Sequence, residues 1–367
     1  MTGLELLVGA DAFWRRASAD CATASHRLLV QAMTFEADTA GRAVGEAIAA
    51  SDAADRRVLV DAYTRVVISD RWVGGPKFLL APELRRETEA TSAMFAGLTA
   101  RGVPVRVTNP FGPLMANYPA RSHKKLIVAD NVAYIGGINF SDHNFAWRDI
   151  MLRLEGAEAA DFLAGDFEAT WRGDPRPAAS DLDGLRLIAL DGRDNHNFFA
   201  EVEALVAGAQ REIVVMSAYL TFPFTAPLAA AARRGVRLTL ITPWNNNKPL
   251  VRDYLLGFAR THGFDVRLLT QMSHVKGLLI DGETLVAGSC NFDFAGLAAE
   301  EELVAVIRSP ALIEDFRRRV VDPALAETVD GHTVSPLAGA FAGAALKLAE
   351  LGAKAARGAR RTTVDWS

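Results

Sequence analysis

Apolar positions along this chain fall into helix-length and strand-length runs that alternate, and the alternation is run twice. Residues 11–25 have the spacing of an amphipathic helix, and HRLLVQAMTF (26–35) is a continuous apolar stretch of strand length. GRAVGEAIAASDAA then predicts an alanine-rich helix, RRVLVDAY (56–63) a second strand, and residues 83–101 a helix leading through Gly102 into the strand 103–108. The second half repeats the programme: helix FFAEVEALVAGA, strand 211–220, helix FTAPLAAAARRG, strand 237–243, helix PLVRDYLLGFARTHG and strand 265–270. Short Val/Leu/Ile strands alternating with helices predict an α/β sheet between helical layers.

Each half ends its programme on the same phrase. SHKKLIVADNVAYIGGIN (122–139) and SHVKGLLIDGETLVAGSCN (273–291) align almost residue for residue. His123 meets His274, 151 positions on; Lys125 meets Lys276, Asp130 meets Asp281, and Asn139 meets Asn291. A repeat of domain size therefore organises the chain. It divides into a first lobe at 1–175, a second at 185–330, and a helical, basic tail at 331–367, with the Pro/Asp/Gly/Ser-rich stretch 173–184 as linker.

Composition narrows the class. The 367 residues suffice for two cores, half of them are hydrophobic, and the net charge of −4 disfavours a general affinity for nucleic acid or anionic membrane, leaving room only for a local basic patch. Two cysteines, Cys21 and Cys290, give neither a disulfide framework nor a zinc site and are expected to be small buried side chains. The N-terminus lacks the pattern of a signal peptide and no run of 18 apolar residues occurs, so a cytoplasmic or inner-face peripheral monomer is expected. Lys354, Arg357, Arg360 and Arg361 crowd the tail. It reads either as a surface helix with a frayed end or as an electrostatic foot for an anionic membrane, where each basic residue contributes about 1 kcal/mol.

The repeated phrase has a chemistry of its own. Residues i and i+2 of a strand share a side, so His123 and Lys125 face together at about 6–7 Å separation, enough for both to touch a phosphate. The turn at Asp130-Asn131 returns the chain as a second strand, bringing Asn139 back toward the histidine end. Gly136 and Gly137 there, like Gly288 and Ser289 in the other copy, allow backbone to approach an anion. One such cluster binds an anion; two supply a nucleophile and a proton donor for displacement at a phosphodiester, with lysines and asparagines around the non-bridging oxygens and no metal needed. An imidazole in this role needs its other nitrogen held by an acceptor. Asp149 follows His123 by 26 residues and Glu302 follows His274 by 28, each opening an apolar strand that is expected to set the acid behind the histidine of its own half; Glu300 and Glu301 compete with Glu302.

His-x-Lys-x4-Asp, present twice and each time followed by Gly-[Gly/Ser]-x-Asn, resembles the phospholipase D superfamily. The resemblance covers about residues 5–320. It implies two similar α/β/α sandwich lobes related by pseudo-two-fold symmetry, an active site at their interface, and a phosphohistidine intermediate on His123 with His274 as acid. It gives Asp130 and Asp281 a structural part. Asn117-Tyr118, Arg121, Tyr134 through Asn139, and Trp147-Arg148-Asp149 are most similar to bacterial cardiolipin synthases and related phosphatidyltransferases. Those enzymes commonly carry N-terminal membrane helices, absent here. Their Asp-x-Arg-Ser after the second Asn is Asp293-Phe294-Ala295-Gly296 in this chain. The resemblance implies phosphatidyl transfer or hydrolysis on a phospholipid such as phosphatidylglycerol, without a cofactor. A nuclease of the same superfamily is the rival chemistry, and an inactive lipid- or nucleic-acid-binding module the rival class.

Other residues have plainer expectations. Lys124 points away from His123 and is expected to be a solvated charge. His143 reads as a loop residue; His26, His262 and His332 as surface residues; His196 as a helix-capping one. Tyr219, Phe222 and Phe224 read as cleft lining or as core, and Trp244 with Asn245–Asn247 as a cleft wall.

Overall fold

The structure is a computed structural model that describes residues 3–73, 81–193, 195–329, 333–356, 358 and 361–366. The chain forms two compact units. The first is Met1–Ala146, Ile150–Ala178 and Ala359–Ser367; the second is Trp147–Asp149 and Ala179–Gly358.

In the first unit the strands are β1 (Gly3–Val8), β2 (Arg27–Ala32), β3 (Asp55–Asp61), β4 (Val105–Thr108), β5 (Leu126–Ala129), β6 (Val132–Gly136) and β7 (Ile150–Glu155). Their order in the sheet is β1-β7-β6-β5-β2-β3-β4. β2, β3 and β4 run parallel, while β5, β6, β7 and β1 pair antiparallel. Alternation fixes the layers: Leu28, Val30, Val58, Val60, Val105 and Val107 enter one core. Phe13, Ala17 and Cys21 meet them from the helix Ala10–Thr23, and Phe95 and Leu98 from the helix Pro82–Ala100. The helix Ala157–Trp171 lies on the other face.

The second unit has β8 (Leu185–Asp191), β9 (Glu212–Met216), β10 (Arg237–Pro243), β11 (Asp265–Leu269), β12 (Gly277–Ile280), β13 (Thr284–Gly288) and β14 (Glu300–Ile307). The order of these seven is β8-β14-β13-β12-β9-β10-β11, the order of the first unit's seven, with Ala178–Leu182 added beside β8 and Thr328–Val329 beside β11. Helices His196–Gly208, Thr225–Arg233 and Pro249–Thr261 supply its core face. On the opposite face the Phe316 ring packs where a Cβ on Gly277 would stand, 2.8 Å from Phe316 Cζ.

Three features differ from the sequence expectation. The strands β1 and β8, which pair with β7 and β14, and the strand Ala178–Leu182 beside β8 have no place in the sequence reading. The tail does not form a third region. Its helix Pro336–Ala356 packs on the helix Pro249–Thr261, and a last strand, Thr363–Asp365, pairs antiparallel with β4. Arg361, expected at a frayed end, is buried; Arg357 and Arg360 lie outside the described residues.

Candidate active site

Both repeated motifs are built from the same local bonds. His123 to Lys125 form the extended lead into β5, and His274 to Lys276 the lead into β12. Each lysine turns its ammonium onto the carbonyl of its own histidine: Lys125 Nζ donates to His123 O at 2.6 Å, and Lys276 Nζ to His274 O at 2.5 Å. All four side chains are buried, so each unit presents an imidazole beside a desolvated cation. Burying an ammonium is costly, and negative charge placed beside it offsets that cost.

At the far end of each hairpin the motif acid holds the chain. Asp130 accepts from the amides of Ser25, His26 and Arg27 at 2.8–2.9 Å. Asp281 accepts from those of Gln210, Arg211 and Glu212 at 2.7–2.9 Å. Burial works to raise both carboxyls, and the three amides outweigh it and hold each below its ordinary range. Both residues sit at positive φ, 49° and 53°, which the turn requires.

The anchoring of the first motif extends along its flank. Ser122 N donates to Asp61 Oδ2 at 2.7 Å, Arg121 pairs with Asp61 at 2.7 Å, and Gln31 Nε2 donates to Ser122 Oγ at 2.9 Å. Lys124 is not a solvated charge. It is fully buried, and its ammonium meets both oxygens of Asp166 at 2.7 and 2.8 Å, because the helix Ala157–Trp171 covers the face assumed to be wet.

The expected pairing of acid and imidazole is corrected. Asp149 was expected behind His123, the histidine of its own repeat; instead its Oδ2 lies 2.8 Å from Nδ1 of His274. The cause is the short segment Trp147–Asp149, which belongs to the second unit. Arg148 N donates to Met272 O at 3.1 Å, His274 N donates to Arg148 O at 2.7 Å, and Arg148 pairs with Glu327 at 2.6 Å. Asp149 and His274 are both buried. A carboxylate accepting at Nδ1 fixes the proton there and leaves Nε2 as the exchanging nitrogen, the arrangement a general acid–base histidine needs.

Glu302 therefore does not orient His274. It is fully buried and accepts from the Ser289 hydroxyl. Ser289, expected to contact phosphate, has its amide on Leu303 O at 2.9 Å and its hydroxyl accepting from Leu303 N at 2.9 Å. Gly137, with the same expectation, donates its amide to Ile150 O at 3.1 Å. Both donors are consumed in joining the hairpin to the next strand, so neither is free for an oxyanion. The preceding glycines have the matching role: a Cβ on Gly136 would stand 2.3 Å from Ile150 O, and one on Gly288 2.3 Å from Leu303 O.

The two asparagines part company. Asn139 Oδ1 accepts from Thr34 N at 3.3 Å and its amide donates to Asn144 Oδ1 at 3.4 Å. Asn291 is equally buried, but its Oδ1 has no hydrogen-bond partner among the described residues. A buried acceptor left open in a polar cluster is what a missing substrate donor would explain.

Aromatic rings complete the second histidine's surroundings. Trp147 lies 5.2 Å and Tyr219 5.7 Å from the His274 ring, centroid to centroid. Tyr219 donates to Asn247 Oδ1, and Lys248 Nζ stands 4.3 Å over its ring. Lys248 has no motif in the sequence to mark it, and Trp147 is marked there only by the resemblance it carries; its approach to His274 follows from the placement of residues 147–149 in this unit. Phe222 and Phe224 are core, stacked on Phe294 and packed on Phe199. Trp244 carries Arg252 over its ring, and Asn246 is buried and bonded to Ala218 O. Asp293, beside the altered stretch Phe294-Ala295-Gly296, is pushed up to about 6 by burial against the opposing charge of Lys248.

Of the other described histidines, His143 and His262 have partners of their own. His143 bonds Ser141 Oγ at 3.0 Å, His262 stacks on Phe258 at 4.0 Å, and His26 is exposed. His196 opens its helix but does not cap it: that place belongs to Asn195. His332 lies outside the described residues. Both cysteines are free and buried, and burial raises the Cys21 thiol to about 12.

Comparison with known proteins agrees with the repeat. The sequence model of the family described as "cardiolipin synthase, PLD-like domain" matches residues 20–171 and 202–321. Cardiolipin synthase B of Shigella flexneri is 27% identical over 341 residues, 83% of this chain and 76% of that protein, and the Escherichia coli K12 protein of the same name matches to the same extent. Among solved structures, phosphatidylserine synthase from Haemophilus influenzae is similar with a TM-score of 0.70 at 15% identity, covering 96% of this chain and 93% of that one. Polyphosphate kinase from Porphyromonas gingivalis shares the fold with a TM-score of 0.59 at 14% identity, over 95% of this chain and 56% of its own. A family match that spans both repeats, on a chain whose two sheets have one topology, has a single meaning: this protein belongs to the phospholipase D-like cardiolipin synthase family.

Proposed function

We propose that this protein transfers the phosphatidyl group of a phospholipid to an alcohol through a phosphohistidine, with phosphatidylglycerol as donor and a cardiolipin-type product. The observation that carries the reading is the buried 2.8 Å pair of Asp149 and His274, set in the second of two intact motifs. A merely anion-binding site has no use for an imidazole whose tautomer is fixed by a buried carboxylate. The names of its relatives, cardiolipin synthase B among them, support phospholipid as the substrate class.

In this reading an imidazole nitrogen of His123 attacks phosphorus, and the bond from phosphorus to the first alcohol breaks. His274 gives the Nε2 proton to the departing oxygen. His274 then takes a proton from the incoming hydroxyl, whose oxygen attacks phosphorus and releases His123. Lys125, Lys276, Asn139 and Asn291 hold the phosphoryl oxygens, and the open Oδ1 of Asn291 suits a hydroxyl donor on the acceptor. Asp149 positions His274. Among the described residues no helix is long and apolar enough to cross a membrane.

The test is incubation with phosphatidylglycerol vesicles and separation of products. Cardiolipin plus glycerol is the expected result, abolished by His123→Asn and by His274→Asn. Phosphatidic acid alone would mean that water is the acceptor. Cleavage of DNA without lipid turnover would replace the proposal with a nuclease.

A further inference from the structure

The helix Pro336–Ala356 lies outside both repeats and has two different apolar faces. Gly339, Ala342, Leu346, Ala353 and Ala356 are buried on one side. There it crosses the helix Pro249–Thr261 so closely that a Cβ on Gly257 would stand 3.1 Å from Gly339 Cα. On the other side Leu337, Phe341, Leu348 and Leu351 are 83%, 70%, 71% and 62% exposed. At 3.6 residues per turn these four fall within about 80° of arc, a single stripe along the length of the helix. Leu250, on the partner helix, is also exposed, at 44%. Contiguous large apolar side chains in water are not neutral surface; they mark something that binds.

The charges beside the stripe indicate what binds. The exposed charges of the helix are Lys347 and Lys354, on one flank of the stripe. Its single acid, Glu350, is turned inward and accepts from both lysines at 3.0 and 2.9 Å. Residues 336–356 hold two basic residues and one acid in a chain whose net charge is −4. An apolar stripe with a lysine edge complements an anionic lipid surface. A second copy of this chain would instead have to bring a second basic helix against the first.

We infer that the outer face of the helix Pro336–Ala356 docks this protein on an anionic phospholipid bilayer, with Leu337, Phe341, Leu348 and Leu351 inserted at the level of the headgroups. The choice of a bilayer as occupant rests on the proposed phospholipid substrate. The inference differs from an electrostatic foot at the chain end, because the apolar stripe carries the attachment and the lysines orient it.

The experiment compares the full chain with the double variant Phe341→Ser/Leu348→Ser, which spares the packed face and every residue placed in the reaction. Flotation with vesicles of phosphatidylglycerol and phosphatidylcholine should show binding weakened about tenfold or more by loss of the two side chains. Thermal melting should be unchanged, and so should turnover of a short-chain phosphatidylglycerol dispersed as monomers. Unchanged vesicle binding by the folded double variant overturns the inference. So does concentration-dependent self-association of the wild type that the variant abolishes, which would make the stripe a protein interface. Failure of the substrate reading is separate: no turnover of any phospholipid, with vesicle binding and its loss in the variant intact.

Discussion

The two units share one frame and fill it differently. Equal register sets Leu28 opposite Ala129 and Ile213 opposite Ile280, so Thr34 and Glu36 of the first unit correspond to Tyr219 and Thr221 of the second. The correspondence extends to the backbone: Glu36 N donates to Phe140 O at 3.0 Å, and Thr221 N to Phe292 O at 3.2 Å. In the first unit Thr34 N closes on Asn139. In the second, Tyr219 N turns to Ser217 Oγ at 3.2 Å, its ring faces His274, and Asn291 Oδ1 is left open. The two copies keep the backbone bonds that shape the hairpin and differ in the side-chain bonds around the motif asparagine. Shape and chemistry are thus separable here, and substitutions can be sorted by which of the two they touch.

The largest effects should come from what the copies share. His123→Asn and His274→Asn should each lower turnover by about 10³-fold or more, since nucleophile and proton donor act as a unit, with folding unchanged. A residual rate near wild type in either variant would mean that the copies are not equivalent partners in chemistry.

Next comes a difference between the copies, Lys124 against Val275. Lys124→Met leaves Asp166 as a buried unpaired charge and should cost about 3–5 kcal/mol in chemical denaturation, whereas the pair Lys124→Met/Asp166→Leu should recover most of it. Val275→Ala, at the corresponding buried place, should cost no more than about 1–2 kcal/mol.

Asp149→Asn should lower kcat by about 10²-fold with KM little changed, because it alters the tautomer of His274 and not the binding of lipid. If KM rose and kcat held, Asp149 would be part of a binding wall.

The motif acids return to shared ground. Asp130→Ala and Asp281→Ala should each cost about 1–3 kcal/mol through three released amides. Both carboxyls are held below the ordinary value, so their contribution is complete above that value and is lost as pH falls through the lowered one. The two variants should therefore lose their difference from wild type only on the acid side. The smallest effect contrasts Glu36 with Thr221. Burial, aided by the charges of Glu87, Asp38 and Asp70, pushes Glu36 up to about 8. A raised acid favours the protonated fold, so stability from this site falls as pH climbs from the ordinary value toward 8. Glu36→Gln should raise the melting temperature at pH above neutral, by on the order of 1 kcal/mol in stability, and the gain should vanish in acid.

What was legible in the sequence follows the range of the interactions. His-x-Lys-x4-Asp is a local device: the lysine bonds the carbonyl two residues back, and the acid sits at its own hairpin turn, so spacing alone carries it. The α/β alternation and the doubled lobe were readable for the same reason. Asp149 was placed behind the wrong histidine because distance along the chain favoured its own repeat, while residues 147–149 pack with the other. Lys124 was misplaced because strand alternation gives a side and not its cover, and the covering helix Ala157–Trp171 lies more than 30 residues on. Ser289 and Gly137 looked like anion donors because composition cannot show that their donors are spent on the neighbouring strand.

The most direct measurement is the site of the covalent intermediate. Wild-type protein mixed with phosphatidylglycerol, quenched in base and digested, should yield one phosphatidyl-bearing peptide, the one containing His123, with an acid-labile linkage. The His123→Asn variant should yield none. An adduct on His274 or on another residue, or product formed steadily by a protein with no histidine adduct at all, would contradict the roles assigned to the two copies.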